Sequence, residues 1–347
     1  MIFTMLLGTI GGAIAFFLGF PIPWLVGSLL AMTLCKKVSL VKAPNKTFSR
    51  WMRVLLGVSL GGSIAASIHG LDASLISSLS MAVIFVLIVT LVGVWYFKRL
   101  PAFNNLDSFM SALPGGLTFL ISLSGDLGER FPKIALIHTV RMVFLIFTFS
   151  IFAYLLGVEN THTSVADSFD VSMDLNLWQV FALCIGSGLL ADRLKIAGGH
   201  IMFPMIISAI FYANGLIQIP MPELVNTVAM VTFGAVIGCK ISTGSWSDYK
   251  SQIRASIVFT AFAISIALLM SLGLAEVLDA NYFLFFLALA PGGIAEICLI
   301  ALALGFDVGF VAVVHTCRYL FIMFIGAVGL NLLSESKVAE KNAKVSP

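Results

Sequence analysis

Charged residues are scarce in this sequence. Asp, Glu, Lys and Arg make up 11% of its 347 residues, hydrophobic residues make up 59%, and the mean hydropathy is +1.05. Soluble domains carry about 25% charged residues, so this composition excludes an ordinary soluble domain. Runs such as 76–96 and 257–274 contain no Asp, Glu, Lys, Arg or His. Each is long enough to cross a hydrocarbon core of about 30 Å, which predicts an all-α integral membrane protein in contact with lipid.

The sequence also lacks the common signatures of metal, disulfide and nucleotide chemistry. Its five cysteines and five histidines are scattered, and no CxxC pair occurs. No Walker A or HExxH motif is present. No soluble segment is long enough for a DNA-binding domain. We therefore expect a protein without cofactor, metal or nucleic-acid partner that is not an enzyme.

What the sequence does contain is a duplication. Leu113-Pro114-Gly115-Gly116 recurs as Ala290-Pro291-Gly292-Gly293, an offset of 291 − 114 = 177. The same offset relates the run from His138 to Arg141 (His-Thr-Val-Arg) to the run from His315 to Arg318 (His-Thr-Cys-Arg), and the glycines at 57 and 61 to those at 234 and 238. Three motifs at one offset indicate a repeat of about half the chain. The glycine pairs, spaced four apart, predict close helix packing.

Charge placement predicts how the twelve apolar segments cross the membrane. If 106–125 and 281–305 enter the membrane and return to the same side, 18 of the 20 Lys and Arg residues become cytoplasmic, as the positive-inside tendency favours. The prediction is about ten transmembrane helices and two re-entrant broken-helix hairpins, forming two inverted five-span repeats with both termini cytoplasmic. The predicted parts are repeat 1 (1–157), an acidic periplasmic connector (158–175), repeat 2 (176–333) and a cytoplasmic tail (334–347). Whether residues 2–35 form two full spans is left open.

The hairpins provide the candidate binding residues. In each Pro-Gly-Gly, proline stops one half-helix and the glycines permit a tight turn, so the next half-helix directs free N–H groups toward the membrane centre. Arg141 and Arg318 are the basic residues deep within predicted spans, where a charge needs a partner or a function. The predicted substrate-binding residues are Pro114, Gly115, Gly116, His138, Arg141, Pro291, Gly292, Gly293, Glu296, His315 and Arg318.

Each of these residues also has a structural alternative. The arginines could satisfy carbonyls left open by the broken helices, and the histidines could orient the arginines or the hairpins. Glu296, which replaces Phe119 of the first repeat, could pair with Arg141 or Arg318, or could take up a proton or a cation.

The doubled Pro-Gly-Gly, the His-Thr-x-Arg that follows it and the stretch Gly-Phe-Pro-Ile-Pro-Trp-Leu-Val-Gly at 19–27 resemble the AbrB membrane family. The resemblance covers nearly the whole chain and implies a bacterial inner-membrane protein built from a duplicated module. Members are labelled both as transcriptional regulators and as ammonia monooxygenases. The absent ligand cluster argues against the second label.

Inverted repeats with broken helices are a common plan of secondary transporters. We therefore expect a secondary transporter that moves a small anionic solute, with H⁺ or Na⁺ as a candidate coupling ion. The alternative is a membrane sensor that alters gene expression indirectly. The sequence leaves a homo-oligomer open.

Overall fold

The structure is a computed structural model, and every element in its described part is an α-helix. It describes residues 1–20, 22–35, 42–67, 73–101, 103–115, 130–155, 177–194, 199–217, 221–240 and 246–343. The predicted connector 158–175, Gly116 and the second arm of the first hairpin lie outside these residues. The helices are α1 (Ile2–Phe17), α2 (Pro23–Leu34), α3 (Lys46–Ser67), α4 (Ala73–Lys98), α5 (Asn105–Ala112), α6 (Phe131–Leu155), α7 (Leu177–Leu194), α8 (Gly199–Ala213), α9 (Glu223–Lys240), α10 (Trp246–Leu278), α11 (Tyr282–Leu289), α12 (Ile294–Ala303) and α13 (Val308–Ala343).

Four of these helices are long and apolar enough to cross a membrane, within the described residues. They correspond to Ser74–Lys98, Pro132–Leu155, Lys250–Leu278 and Val308–Gly326. Several other apolar helices are shorter. The 16 residues of α1 and the 12 of α2 extend about 24 Å and 18 Å at 1.5 Å per residue, less than the ~30 Å hydrocarbon core. The chain is thus a helical, membrane-type protein, and the count of ten spans stays a prediction.

Outward-facing apolar side chains fit a lipid environment. On α1, Leu6, Ile10 and Ile14 are each more than half exposed, and on α7 Phe181 and Ile185 are as well. Such continuous apolar stripes are rare on soluble monomers. They support membrane association.

Helix bounds follow the offset of 177 found in the sequence. Asn105–Ala112 plus 177 gives 282–289, which is α11, and Phe131 plus 177 gives 308, the start of α13. Lys46 plus 177 gives 223, the start of α9. The counterpart of α12 would span 117–126, outside the described residues.

Helix contacts are exchanged between the two halves. α3 packs on α8, and its counterpart α9 packs on α2; likewise α4 packs on α13, and its counterpart α10 packs on α6. The two halves therefore interdigitate rather than lie side by side.

The predicted glycine contacts are confirmed at these crossings. A Cβ at Gly57 would lie 2.6 Å from the carbonyl oxygen of Ile201, and one at Gly238 would lie 2.6 Å from that of Leu29. Because both positions face the backbone of the neighbouring helix, only glycine permits the approach.

The turn between α1 and α2 contains a strained residue. Ile22 has φ 56°, in the left-handed region that β-branched side chains rarely adopt, and its side chain is fully buried. Pro23 follows at the first position of α2, where its missing N–H costs nothing. The buried side chain and the proline together hold the chain in this conformation.

Candidate solute-binding site

The segment predicted as the second hairpin consists of two short helices separated at its Pro-Gly-Gly, and the name hairpin is kept below for both predicted segments. α11 begins after Asn281, whose side chain accepts a hydrogen bond from the Phe283 N–H at 2.8 Å, and ends at Leu289. α12 then begins after Gly293. A helix that ends inside the protein leaves its last carbonyl groups without intrahelical donors. In a membrane these groups need other partners.

Arg318 of α13 supplies the donors that this break lacks. Its Nη1 donates to the carbonyl of Leu289 at 3.1 Å and also to that of Ala290, and its Nη2 donates to that of Gly292 at 2.8 Å. The side chain is 2% exposed. One buried guanidinium thus serves three carbonyls around the turn, which its planar fork of donors suits well.

His315 completes this arrangement, and its tautomer follows from its partners. Nε2 lies 2.9 Å from the carbonyl oxygen of Leu287, which can only accept, so Nε2 carries the hydrogen. Nδ1 then accepts from Nη2 of Arg318 at 2.8 Å. A neutral imidazole is therefore bonded on both sides and orients the arginine.

The first hairpin repeats these contacts. Arg141 of α6 donates to the carbonyls of Leu113, at 2.9 Å, and of Gly115. Nε2 of His138 lies 3.0 Å from the carbonyl oxygen of Met110, and its Nδ1 lies 2.6 Å from Nη2 of Arg141. At the offset of 177, Met110, Leu113 and Gly115 correspond to three of the carbonyl acceptors of the second hairpin. The same pair of side chains, one arginine and one histidine, therefore satisfies the carbonyl groups at both helix breaks.

The two arginine–histidine pairs lie near each other. The charges of Arg141 and Arg318 repel one another, and a Cβ on Gly292 would lie 3.5 Å from Cδ1 of Leu145, one turn beyond Arg141. The partners described above are neutral carbonyls and imidazoles, and Nε of Arg141 is buried without a hydrogen bond to any residue that the structure describes. Two buried positive charges thus lie close enough to repel each other, and Nε of Arg141 is an unused donor within the described part of the chain.

Glu296 lies in the first turn of α12, as predicted, but its charged neighbour is a different arginine. Its carboxylate interacts electrostatically with Arg53 of α3. It also folds back against Gly293, where an added Cβ would meet Oε2. The hydrogen bonds of Arg141 and Arg318 within the described residues go to carbonyls and histidines, so neither arginine serves as the partner of Glu296 that the sequence suggested.

Sequence reasoning did not select Arg53. It belongs to the 18 Lys and Arg residues that the charge argument assigns to the cytoplasm. The available signal was the offset, because Arg53 corresponds to Met230 just as Glu296 corresponds to Phe119. Two opposite charges that both replace apolar counterparts suggest a pair.

The remaining predicted residues lie where the hairpins place them. Pro114, Gly115, Pro291, Gly292 and Gly293 are buried at the two turns. Among the described residues, no group of three His, Cys, Asp or Glu side chains lies close enough to hold a metal ion.

Comparison with known sequences identifies the family. The family described as "Transition state regulatory protein AbrB" matches residues 24–334. The chain belongs to the AbrB family. The match spans both hairpins and both His-Thr-x-Arg segments, so the site described above lies within the family's common region.

Two curated relatives from this comparison are similar to the AbrB-family chain at low identity. "Uncharacterized protein YhjN" of Bacillus subtilis (strain 168) is 22% identical over 359 residues, covering 97% of this chain and 94% of that protein. "Putative regulator AbrB" of Escherichia coli (strain K12) is 23% identical over 281 residues, covering 77% of this chain and 78% of that protein. The resemblance extends over most of the chain.

Proposed function

We propose that this AbrB-family protein is a secondary transporter of the bacterial inner membrane for a small anionic solute. The solute would bind at the midplane, between two inverted repeats of five spans, each with one re-entrant hairpin, and both termini would be cytoplasmic. The observation that supports this most is the pair of buried, mutually repelling guanidinium groups of Arg141 and Arg318. An anion between them would offset a repulsion that the neutral partners leave in place.

The exchange of helix contacts between the halves supports the transport mechanism. Alternating access requires one group of helices to move against another around a fixed site. Helices of each half pack against helices of the other, and each hairpin tip is bonded to an arginine of its own half. Each tip would thus move together with its arginine and its own group of helices.

Flux measurements test this proposal. Proteoliposomes would be assayed for uptake of a panel of radiolabelled small carboxylates, phosphate and sulfate. Arg141→Ala and Arg318→Ala should abolish the flux seen for the wild type, while Arg99→Ala, at the end of α4 against Trp95, should retain it. Arg141→Lys keeps the charge and loses the planar fork, so it should retain part of the binding and little of the flux.

Two results would contradict the assignment. Wild-type flux in both alanine variants would remove the arginines from the site. Absence of flux for every anion, with binding that persists and changes transcription in cells, would favour a membrane regulator instead. The printed names of the family and of the Escherichia coli relative favour that second candidate.

A further inference from the structure

The helices form two groups according to the helices they pack against, and these groups differ from the two repeats. The scaffold group comprises α1, α2, α3, α7, α8 and α9, in which α1 and α9 pack on α2, and α3 and α7 pack on α8. The hairpin group comprises α4, α5, α6 and α10 to α13, in which α4 packs on α5, α10, α11 and α13, and α10 packs on α6. Each group therefore contains helices from both repeats.

Specific polar contacts hold the scaffold group together across the repeats. Oγ of Ser59 on α3 donates to Oδ1 of Asn226 on α9 at 2.9 Å. Nη1 of Arg50 on α3 and Nε2 of His200 on α8 each lie 2.9 Å from Oδ1 of Asp192 on α7. Hydrogen bonds depend steeply on distance and angle, and the glycines of α3 and α9 bring these helices against the backbones of α8 and α2. These contacts fix the scaffold helices relative to one another.

The hairpin group is held together in the same way. Oγ of Ser256 on α10 donates to the carbonyl of Ile137 on α6 at 2.7 Å. A Cβ on Gly93 of α4 would lie 2.7 Å from the ring of Phe259 on α10. Both contacts join a helix of the first repeat to a helix of the second. The tips are bonded to arginines of α6 and α13, which belong to this group, so both tips share one group of helices.

The boundary between the groups is formed by α3 and α9 on the scaffold side. α3 packs on α12 and α13, and its counterpart α9 packs on α6 and α12. Apolar side chains of both groups, such as Leu60 of α3 and Val314 of α13, are buried in one common core. The charges of Arg53 and Glu296 also interact across the boundary, whereas the hydrogen bonds and ring contacts named above lie within one group or the other. Apolar packing is non-directional, so this boundary permits displacement more readily than the group interiors do.

We propose that the hairpin group moves as one rigid body against the scaffold group, together with both tips, Arg141 and Arg318. This inference rests on the proposed function and names the part of the protein that moves in it. α6 and α13 are counterparts, as α3 and α9 are, so the repeat exchanges the α3–α13 contact with the α9–α6 contact. Loosening one contact while tightening the other gives two states of equivalent packing. In an inverted repeat these states open the solute site to opposite faces of the membrane.

Distances between spin labels test this assignment. Leu6 on α1 and Ile185 on α7 mark the scaffold group, and Leu91 on α4 and Leu269 on α10 mark the hairpin group; each is more than half exposed. Leu6 and Leu91 belong to the first repeat, and the other two belong to the second. Cysteines would replace them two at a time in a cysteine-free protein and carry nitroxide labels. Double electron–electron resonance in lipid would measure each pair without anion and with phosphate, sulfate or each small carboxylate.

The four label pairs form a matched set. Leu6→Cys with Leu91→Cys, and Ile185→Cys with Leu269→Cys, join the two groups within one repeat. Their distances should show a second population or a shift of about 5 Å, one helical turn. Leu6→Cys with Ile185→Cys, and Leu91→Cys with Leu269→Cys, join the two repeats within one group and should keep a single distance. The reversed pattern, or constant distances in all four pairs, would overturn the proposal.

The two proposals fail in different ways. Anion flux in a protein whose label pairs show the reversed pattern would support transport and overturn the moving hairpin group. Movement of the hairpin group in a protein without flux for any anion would support the two groups and overturn transport.

Discussion

The two hairpins have the same interior and different openings. At their tips, His138 with Arg141 and His315 with Arg318 bond to equivalent carbonyls. At the opening of the first hairpin, the buried carboxylate of Asp107 lies 3.0 Å from Nζ of Lys133 and 3.4 Å from Nη1 of Arg130.

The opening of the second hairpin is aromatic instead. The equivalents of Asp107 and Lys133 are Leu284 and Phe310, and the rings of Phe283 and Phe306 stack with centroids 5.1 Å apart. The two hairpins thus have equivalent contacts at their tips and different residues at their openings. This difference suggests a common function for the tips and different surroundings for the two openings. If the first hairpin opens to the cytoplasm, its basic residues follow the positive-inside tendency.

The largest effect should come from the tips. Arg318→Ala leaves three buried carbonyls without their donor and Arg141→Ala leaves two, at about 1–3 kcal/mol for each group. Both variants should therefore unfold at much lower temperature in detergent, Arg318→Ala lowest. Thermal denaturation followed by tryptophan fluorescence measures this. If either variant unfolds like the wild type, that arginine does not close its break.

The next largest loss of stability should come from removing an aromatic ring of the second hairpin. Phe286 is fully buried, and its ring centroid lies 4.8 Å from that of Phe149. Phe286→Ala should cost about 3–5 kcal/mol through lost burial and a cavity, with little dependence on salt. Unfolding midpoints at low and high NaCl concentration would check both statements. A strong salt dependence would contradict the aromatic account of this opening.

Removing the carboxylate at the other opening should have a smaller, salt-dependent effect. Lys133 and Arg130 are 23% and 33% exposed, so water can solvate them once Asp107 is neutral. Asp107→Asn should cost roughly 1 kcal/mol at low salt and less at high salt. The same pair of midpoint measurements applies. Equal losses at both salt concentrations would show that Asp107 acts through packing instead.

The smallest effect should be nearly the same in both hairpins. Asn104 and Asn281 cap α5 and α11, accepting from the N–H groups of Asp107 at 2.9 Å and Phe283 at 2.8 Å. Asn281→Ala should cost about 1 kcal/mol, a typical value for a lost cap. Asn104→Ala should cost slightly more, since Arg130 also donates to Asn104. A clearly larger loss for Asn281→Ala would break the equivalence of the two hairpin starts.

The sequence predicted the features that depend on local chemistry. Proline, glycine and one repeated offset located both breaks, the glycine contacts and the residues at the tips. The three-residue spacing of His138 and Arg141 puts them on one helix face, so their contact follows from helix geometry alone.

Other features depend on packing between distant segments and could not be predicted in this way. Arg53 and Glu296 are 296 − 53 = 243 residues apart, outside the repeat offset, and their charges interact only because α3 packs near α12. Hydrophobic patterning also did not predict the lengths of the helices. It shows where apolar segments begin and end, whereas α1 ends at Phe17 and α2 begins at Pro23, on either side of a turn that contains Ile22.

The orientation of the hairpins is the central claim, and one labelling experiment tests it most directly. Arg130 and Asp307 occupy equivalent positions, 307 − 130 = 177, with opposite charges. Arg130→Cys and Asp307→Cys would each be made in a cysteine-free protein and exposed to a membrane-impermeant maleimide in right-side-out and inside-out vesicles. We predict labelling of position 130 from the cytoplasmic face alone and of position 307 from the outer face alone. Labelling of both positions from one face would contradict the inverted repeat and the shared midplane site.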